Sequence, residues 1–153
     1  MSTNLVRYTG ADGPAWGAVR GTEVVALPAE FVAVADVLAD GAKVAQSLIA
    51  DADVAALPLA GLRLLDPVPD ARIFCQGANY RAHMIESGMD PDRAFNMLFT
   101  KSTASLTGPD DDIVRPADVR LLDYEVELGI VLGRPIPGPV TVTEENLADY
   151  VGA

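Results

Sequence analysis

Cysteine, histidine and cationic side chains are scarce in this chain. Of 153 residues one is cysteine and one is histidine, and 11 lysines and arginines stand against 22 aspartates and glutamates. The lone thiol, Cys75, excludes an internal disulfide and fits a reducing compartment. A phosphate-binding face needs clustered Lys and Arg, whereas the basic residues here are scattered and the net charge is −11, which argues against nucleic acid. No apolar run approaches the roughly 18 residues that a membrane helix requires. Residues 54–62 form one of the longest uncharged stretches, and Pro58 interrupts it. The first seven residues show no cationic region followed by an apolar core, so no signal peptide is expected. Phosphate loops, G-x-G-x-x-G, C-x-x-C and G-x-S-x-G are all absent. These absences lead to the expectation of a cytoplasmic protein that engages neither nucleic acid nor membrane.

What is present is a globular composition, 50% apolar and 22% charged. Three short apolar segments within residues 5–27, separated by Gly10-Ala11-Asp12-Gly13-Pro14 and Arg20-Gly21, predict a β-meander. From Pro28 the period changes. Phe31, Val34, Val37 and Leu38 recur at helical spacing, as do Val44, Leu48 and Ile49, predicting two short helices broken near Asp40-Gly41. Asp66-Pro67-Val68-Pro69-Asp70 has the stiffness of a boundary and divides the chain into residues 1–66 and 70–153. Beyond it, Arg72-Ile73-Phe74-Cys75-Gln76 predicts a strand. Gly77-Ala78-Asn79 predicts a turn, and residues 80–87 a helix capped by Asn79 and stopped by Gly88. Residues 94–99 are a further strand candidate, 106–112 a polar turn and 121–132 the strongest strand. A last helix is expected to begin at Thr143-Glu144-Glu145.

Two groups carry chemistry. On a strand, Asp123, Glu125 and Glu127 share one face, with Glu125 and Glu127 about 6.6 Å apart at the backbone, so their carboxylates can converge on one ion. A solvated acidic face is the alternative, although the apolar Gly129-Ile130-Val131-Leu132 that follows reads as core. Oxygen ligands favour Mg²⁺, Mn²⁺ or Ca²⁺ over Zn²⁺. The second group is His83 with Glu86, which lie on one face of a helix at i and i+3. A carboxylate beside an imidazole favours the proton-bearing form and orients the ring to take a proton from water. A surface pair without a role stays open beside this. Lys101 is a third candidate, able to bind the carboxylate of an acidic substrate, or simply solvated. Asp110-Asp111-Asp112 reads as a solvated turn, and Trp16, Phe31 and Cys75 as packing residues.

In order and spacing these segments resemble the fumarylacetoacetate hydrolase family. Gly77-Ala78-Asn79-Tyr80-Arg81-Ala82-His83-Met84-Ile85-Glu86 resembles its G-x-N-Y-x-x-H-x-x-E signature. Phe99-Thr100-Lys101 is similar to its F-x-K segment, and Ile113-Val114-Arg115-Pro116 to the I-x-x-P that follows. Asp123-Tyr124-Glu125-Val126-Glu127-Leu128 is similar to its D-Y-E-x-E-L strand. The resemblance covers residues 62–153. It implies that Glu125 and Glu127 ligate Mg²⁺ or Mn²⁺, with Ca²⁺ a further candidate, and that His83 and Glu86 activate water or move a proton. It also assigns Lys101 and Tyr80 to the substrate.

The fold implied is α+β: a small α/β N-terminal module (1–66), then the first part of a mixed, mainly β sandwich-roll domain (70–153). The activity implied is divalent-metal-dependent hydrolysis of a C–C bond in an acylpyruvate- or fumarylacetoacetate-like diketo acid, by a cytoplasmic homodimer serving aromatic catabolism. A decarboxylase or tautomerase of a 2-oxo acid is the alternative within the family. Two departures stand out. Many relatives have Arg where this chain has Ala78, which removes one anion contact. The third carboxylate ligand of the family lies on a later strand for which residues 1–153 hold no substitute, so the expectation includes an incomplete, catalytically incompetent fragment.

Overall fold

Apolar and β-branched residues separated by two-residue turns build the first sheet. In the computed structural model, which describes residues 3–92, 95 and 97–153, β1 (Leu5–Gly10), β2 (Gly13–Arg20) and β3 (Glu23–Ala26) form an antiparallel meander. A short β4 (Leu57–Pro58) pairs with β3 to give the order β1-β2-β3-β4. Gly21 makes the turn between β2 and β3 at φ +64°, a conformation that costs a side-chain-bearing residue steric strain. The meander is therefore as the sequence predicts.

Both faces of this sheet are covered. Trp16, Ala18 and Leu27 point to one face, where they pack with Val37 and Ala45 into a buried cluster edged by Leu5, Phe31, Val34 and Ile49. The Trp16 indole N–H donates to the Val32 carbonyl at 3.3 Å, so the large ring is buried without stranding its polar atom. On the other face Tyr8 and Val24 close over Gly17, where an added Cβ would sit 2.3 Å from Val24 Cγ1 and 3.2 Å from Tyr8 Cε1. Burial of apolar side chains of this size contributes about 1.5–3 kcal/mol each.

The helical segment departs from the sequence expectation. No break occurs at Gly41. α1 (Val34–Asp36) runs through one π-helical turn (Val37–Gly41) directly into α2 (Ala42–Ala50). Gly41 is buried, and a Cβ there would meet Val37 Cγ1 at 3.1 Å and Leu27 Cδ2 at 3.4 Å. The glycine lets the helix approach the end of β3 closely, and that packing outweighs its poor helix propensity of about 1 kcal/mol.

The chain forms two compact units, one of Met1–Pro67 with Gly108–Ala153 and one of Val68–Thr107. In the first, residues 63–66 return along the edge of β1: Thr9 N–H donates to the Arg63 carbonyl, Leu65 N–H to the Arg7 carbonyl, and Arg7 pairs with Asp66 at 3.4 Å. Asp111 accepts from Gly108 N–H at 3.0 Å and from Arg63 at 3.1 Å. Near the other end, Leu132 bridges Val151, Arg134 lies 4.5 Å over the Tyr150 ring, and a Cβ added at Gly152 would lie 3.1 Å from Leu38 Cδ1.

Two sequence expectations fail in this half. Residues 121–131 form no strand, and Tyr124, Val126, Leu128 and Ile130 are 84%, 91%, 80% and 61% exposed. Alternation alone does not make a strand. Its backbone N–H and C=O groups need a neighbouring ladder, and among the described residues only the Val131–Gly133 end finds one, against residues 150–153. The helix expected from Thr143 is replaced by a 3₁₀ turn at Leu147–Asp149. Asn146 accepts from Thr143 N–H at 2.7 Å and donates to the Thr141 carbonyl, a side-chain alternative to helical hydrogen bonding.

The second unit is a two-stranded antiparallel sheet, β5 (Ile73–Gly77) with β6 (Met97–Lys101), and a short helix, α3 (Arg81–Glu86), between them in sequence. β6 starts later than the strand expected at 94–99, of which residues 94 and 96 lie outside the described residues.

Candidate functional site

The turn that leaves β5 positions the histidine. Gly77 closes the strand opposite Met97, and an added Cβ would lie 3.2 Å from Met97 Sδ and 3.3 Å from the Phe99 ring, so a larger residue would have to push these side chains aside. Ala78 follows at φ +49°. α3 then begins one residue later than the sequence suggests. Its N-cap is Tyr80 in place of Asn79, and no side chain caps it. At the other end Gly88 N–H donates to the Ile85 carbonyl and Met89 N–H to the Met84 carbonyl, with Gly88 at φ +69°. This double closure is the glycine stop that the sequence predicts. Met84 is buried and anchors the helix, while Tyr80, His83 and Glu86 are exposed.

α3 thus carries His83 and Glu86, with Tyr80 immediately before its first residue. His83 and Glu86 share a face, yet among the described residues no hydrogen bond or ion pair joins them. Arg81, which the sequence reasoning passed over, pairs with Asp92 at 2.5 Å and ties the helix start to the loop beyond its end. Asp92 N–H in turn donates to Asp90 at 2.9 Å. Lys101 lies opposite Ile73 on the more covered face of the β5–β6 pair, with its ammonium 6.0 Å from the Phe99 ring centroid. Cys75 occupies the same face, half-buried.

Glu125 and Glu127 belong to the other compact unit, on the exposed segment 121–131. Asp123 turns back to accept from Tyr124 N–H at 2.9 Å. Their hard oxygen donors suit Mg²⁺ or Mn²⁺. The geometry does not complete a site: among the described residues no three His, Cys, Asp or Glu side chains are grouped so as to hold an ion. The structure therefore carries the chemical donors for a metal without the assembled set.

α3 thus follows a strand-end turn and exposes one histidine and one glutamate, in a chain of the α+β class. Among the described residues no helix is long and apolar enough to cross a membrane. Comparison with known proteins narrows the class. The model of the fumarylacetoacetate (FAA) hydrolase C-terminal family matches residues 72–153, more than half of the chain. The chain belongs to the fumarylacetoacetate hydrolase family.

Over 85 residues it is 42% identical to 2,4-didehydro-3-deoxy-L-rhamnonate hydrolase of Sphingomonas sp. (strain SKA58), an alignment of 54% of this chain and 30% of that protein. Over 87 residues it is 38% identical to oxaloacetate tautomerase YisK of Bacillus subtilis (strain 168), covering 56% of this chain and 28% of that one. In structure it is similar to maleylpyruvate hydrolase from Sphingobium sp. SYK-6, solved in complex with manganese (II) ion and pyruvate. The TM-score is 0.68 at 25% identity, over 98% of this chain and 55% of that one. The chain thus spans about half the length of that solved structure, and the aligned part is under a third of these two curated relatives. The family is home to hydrolases and to a tautomerase, and one member binds a divalent ion.

Proposed function

We propose that this chain serves a divalent-metal-dependent hydrolase that cleaves a C–C bond in an acylpyruvate- or fumarylacetoacetate-like diketo acid. The observation that carries the reading is the placement of His83 and Glu86 on one face of α3, inside the segment matched to the family. In this role His83 accepts a proton from water, and the Glu86 carboxylate favours the imidazolium that results. Lys101 and Tyr80 receive the anionic substrate, the ammonium by charge and the phenol by hydrogen bonding. Glu125 and Glu127 are proposed as two of the carboxylate ligands to Mg²⁺ or Mn²⁺, with Ca²⁺ as a weaker candidate. Since their set is incomplete here, no step is derived through the ion. The sequence division at residues 66–70, a sandwich-roll catalytic domain, a cytoplasmic location and homodimerisation belong to the same proposal.

A second reading is favoured by the 38% identity to an oxaloacetate tautomerase: proton transfer on a 2-oxo acid without attack by water. Steady-state assays of the natural full-length protein with Mn²⁺ separate the two. Hydrolysis of an acylpyruvate releases pyruvate and a carboxylic acid, whereas tautomerisation of oxaloacetate changes only its enol absorbance. Under either reading His83→Ala lowers kcat by about 10²- to 10⁴-fold, the usual contribution of a general base. Undiminished kcat in that variant would remove His83 from the chemistry.

A further inference from the structure

Among the described residues, Ala78 is alone among non-glycines in having a positive φ, and it stands between β5 and the helix that carries His83. Three glycines elsewhere adopt such angles, Gly13, Gly21 and Gly88. For an alanine the left-handed region is sterically costly, and it persists only where the surroundings hold it. The neighbours would bear it more cheaply, Gly77 without penalty and Asn79 with less. Gly77 is nevertheless committed to the strand by its pairing with Met97 and by the closeness of Met97 and Phe99. The N-cap of α3, Tyr80, has extended angles and offers no side-chain hydrogen bond to fix the first turn. The chain must change direction within two residues, 78 and 79, and the direction of α3 is carried by their backbone torsions.

We propose that Ala78 is a positioning residue whose left-handed backbone sets how α3 leaves β5 and therefore where His83 is aimed. The proposal rests on the reading of His83 as the proton acceptor. A change of φ at this one residue from positive to negative would redirect everything after it, and misplacement of a catalytic group by about 1 Å can cost 10²-fold in rate.

The test compares Ala78→Val, Ala78→Asn and His83→Ala in the natural full-length protein with Mn²⁺ and an acylpyruvate. Asn tolerates the left-handed region and β-branched Val does not. Ala78→Val is expected to fold, to keep KM within about twofold, and to lose about 10- to 100-fold in kcat, with a displaced pH profile. Ala78→Asn is expected to keep kcat near wild type. Wild-type kcat in Ala78→Val, with His83→Ala inactive, would overturn the positioning role alone. Failure of Ala78→Val to fold beside a folded, active Ala78→Asn would also overturn it, because the turn would then serve the fold and not His83. Full activity of His83→Ala would overturn the underlying reading together with the proposal.

Discussion

Replacing Gly88 by alanine isolates a purely conformational contribution to the helix that bears His83. Gly88 adopts φ +69°, and an added Cβ would find nothing within 4 Å, so the substitution introduces no clash and removes no side-chain contact. What changes is the backbone. Alanine in the left-handed region costs about 1–2 kcal/mol, while a less flexible unfolded chain returns about 0.4–1 kcal/mol. The net is a loss of roughly 1 kcal/mol, borne by the two closing hydrogen bonds from Gly88 N–H to Ile85 and Met89 N–H to Met84. Gly61 supplies the control, since it too has open space around it but no positive φ. There alanine is expected to be neutral or slightly stabilising, by up to about 1 kcal/mol.

The assay is native-state hydrogen exchange, read at the amides of residues 88 and 89, where a 1 kcal/mol loss appears as roughly fivefold faster exchange. Gly88→Asn should fall between wild type and Gly88→Ala, because asparagine tolerates this conformation better. Equal exchange in Gly88→Ala and wild type would refute the reasoning, showing that the C-terminal closure of α3 does not depend on a left-handed residue.

Gly17→Ala should destabilise the first sheet by about 1–3 kcal/mol in chemical denaturation, since its Cβ would be driven against Val24 and Tyr8. A neutral result would mean that those side chains yield freely. Asp111 has its carboxyl held below the usual value of 3.8, first by the Gly108 N–H and then by Arg63. Its contribution to stability is present above that value and fades as pH falls through the lowered one, so Asp111→Asn should flatten the acid end of the stability–pH curve below about pH 4 and leave the neutral region unchanged in slope. If Glu125 and Glu127 are metal ligands, Mn²⁺ should raise the Tm of the natural full-length protein, and Glu125→Ala should abolish the rise. An unchanged shift in that variant would count against the assignment.

The sequence by itself determined the local punctuation of the chain and its family. Turn residues between apolar segments defined the β1–β3 meander, and Gly88 defined the end of α3. These are short-range matters, decided by steric limits on a few torsions and by missing N–H groups, and so are visible in a window of a few residues. The shared helix face of His83 and Glu86 was legible for the same reason, since it follows from i and i+3.

Only the tertiary structure decided the rest. The continuous helix through Gly41 depends on how closely Leu27 and Val37 approach it, which no helical period records. Residues 121–131 have the alternation of a strand and no strand, because a ladder is a property of two segments and the pattern describes one. The left-handed Ala78 escaped the sequence reading because alanine is ordinarily a right-handed residue. Its conformation follows from what the strand on one side and the helix on the other require of the two residues between them.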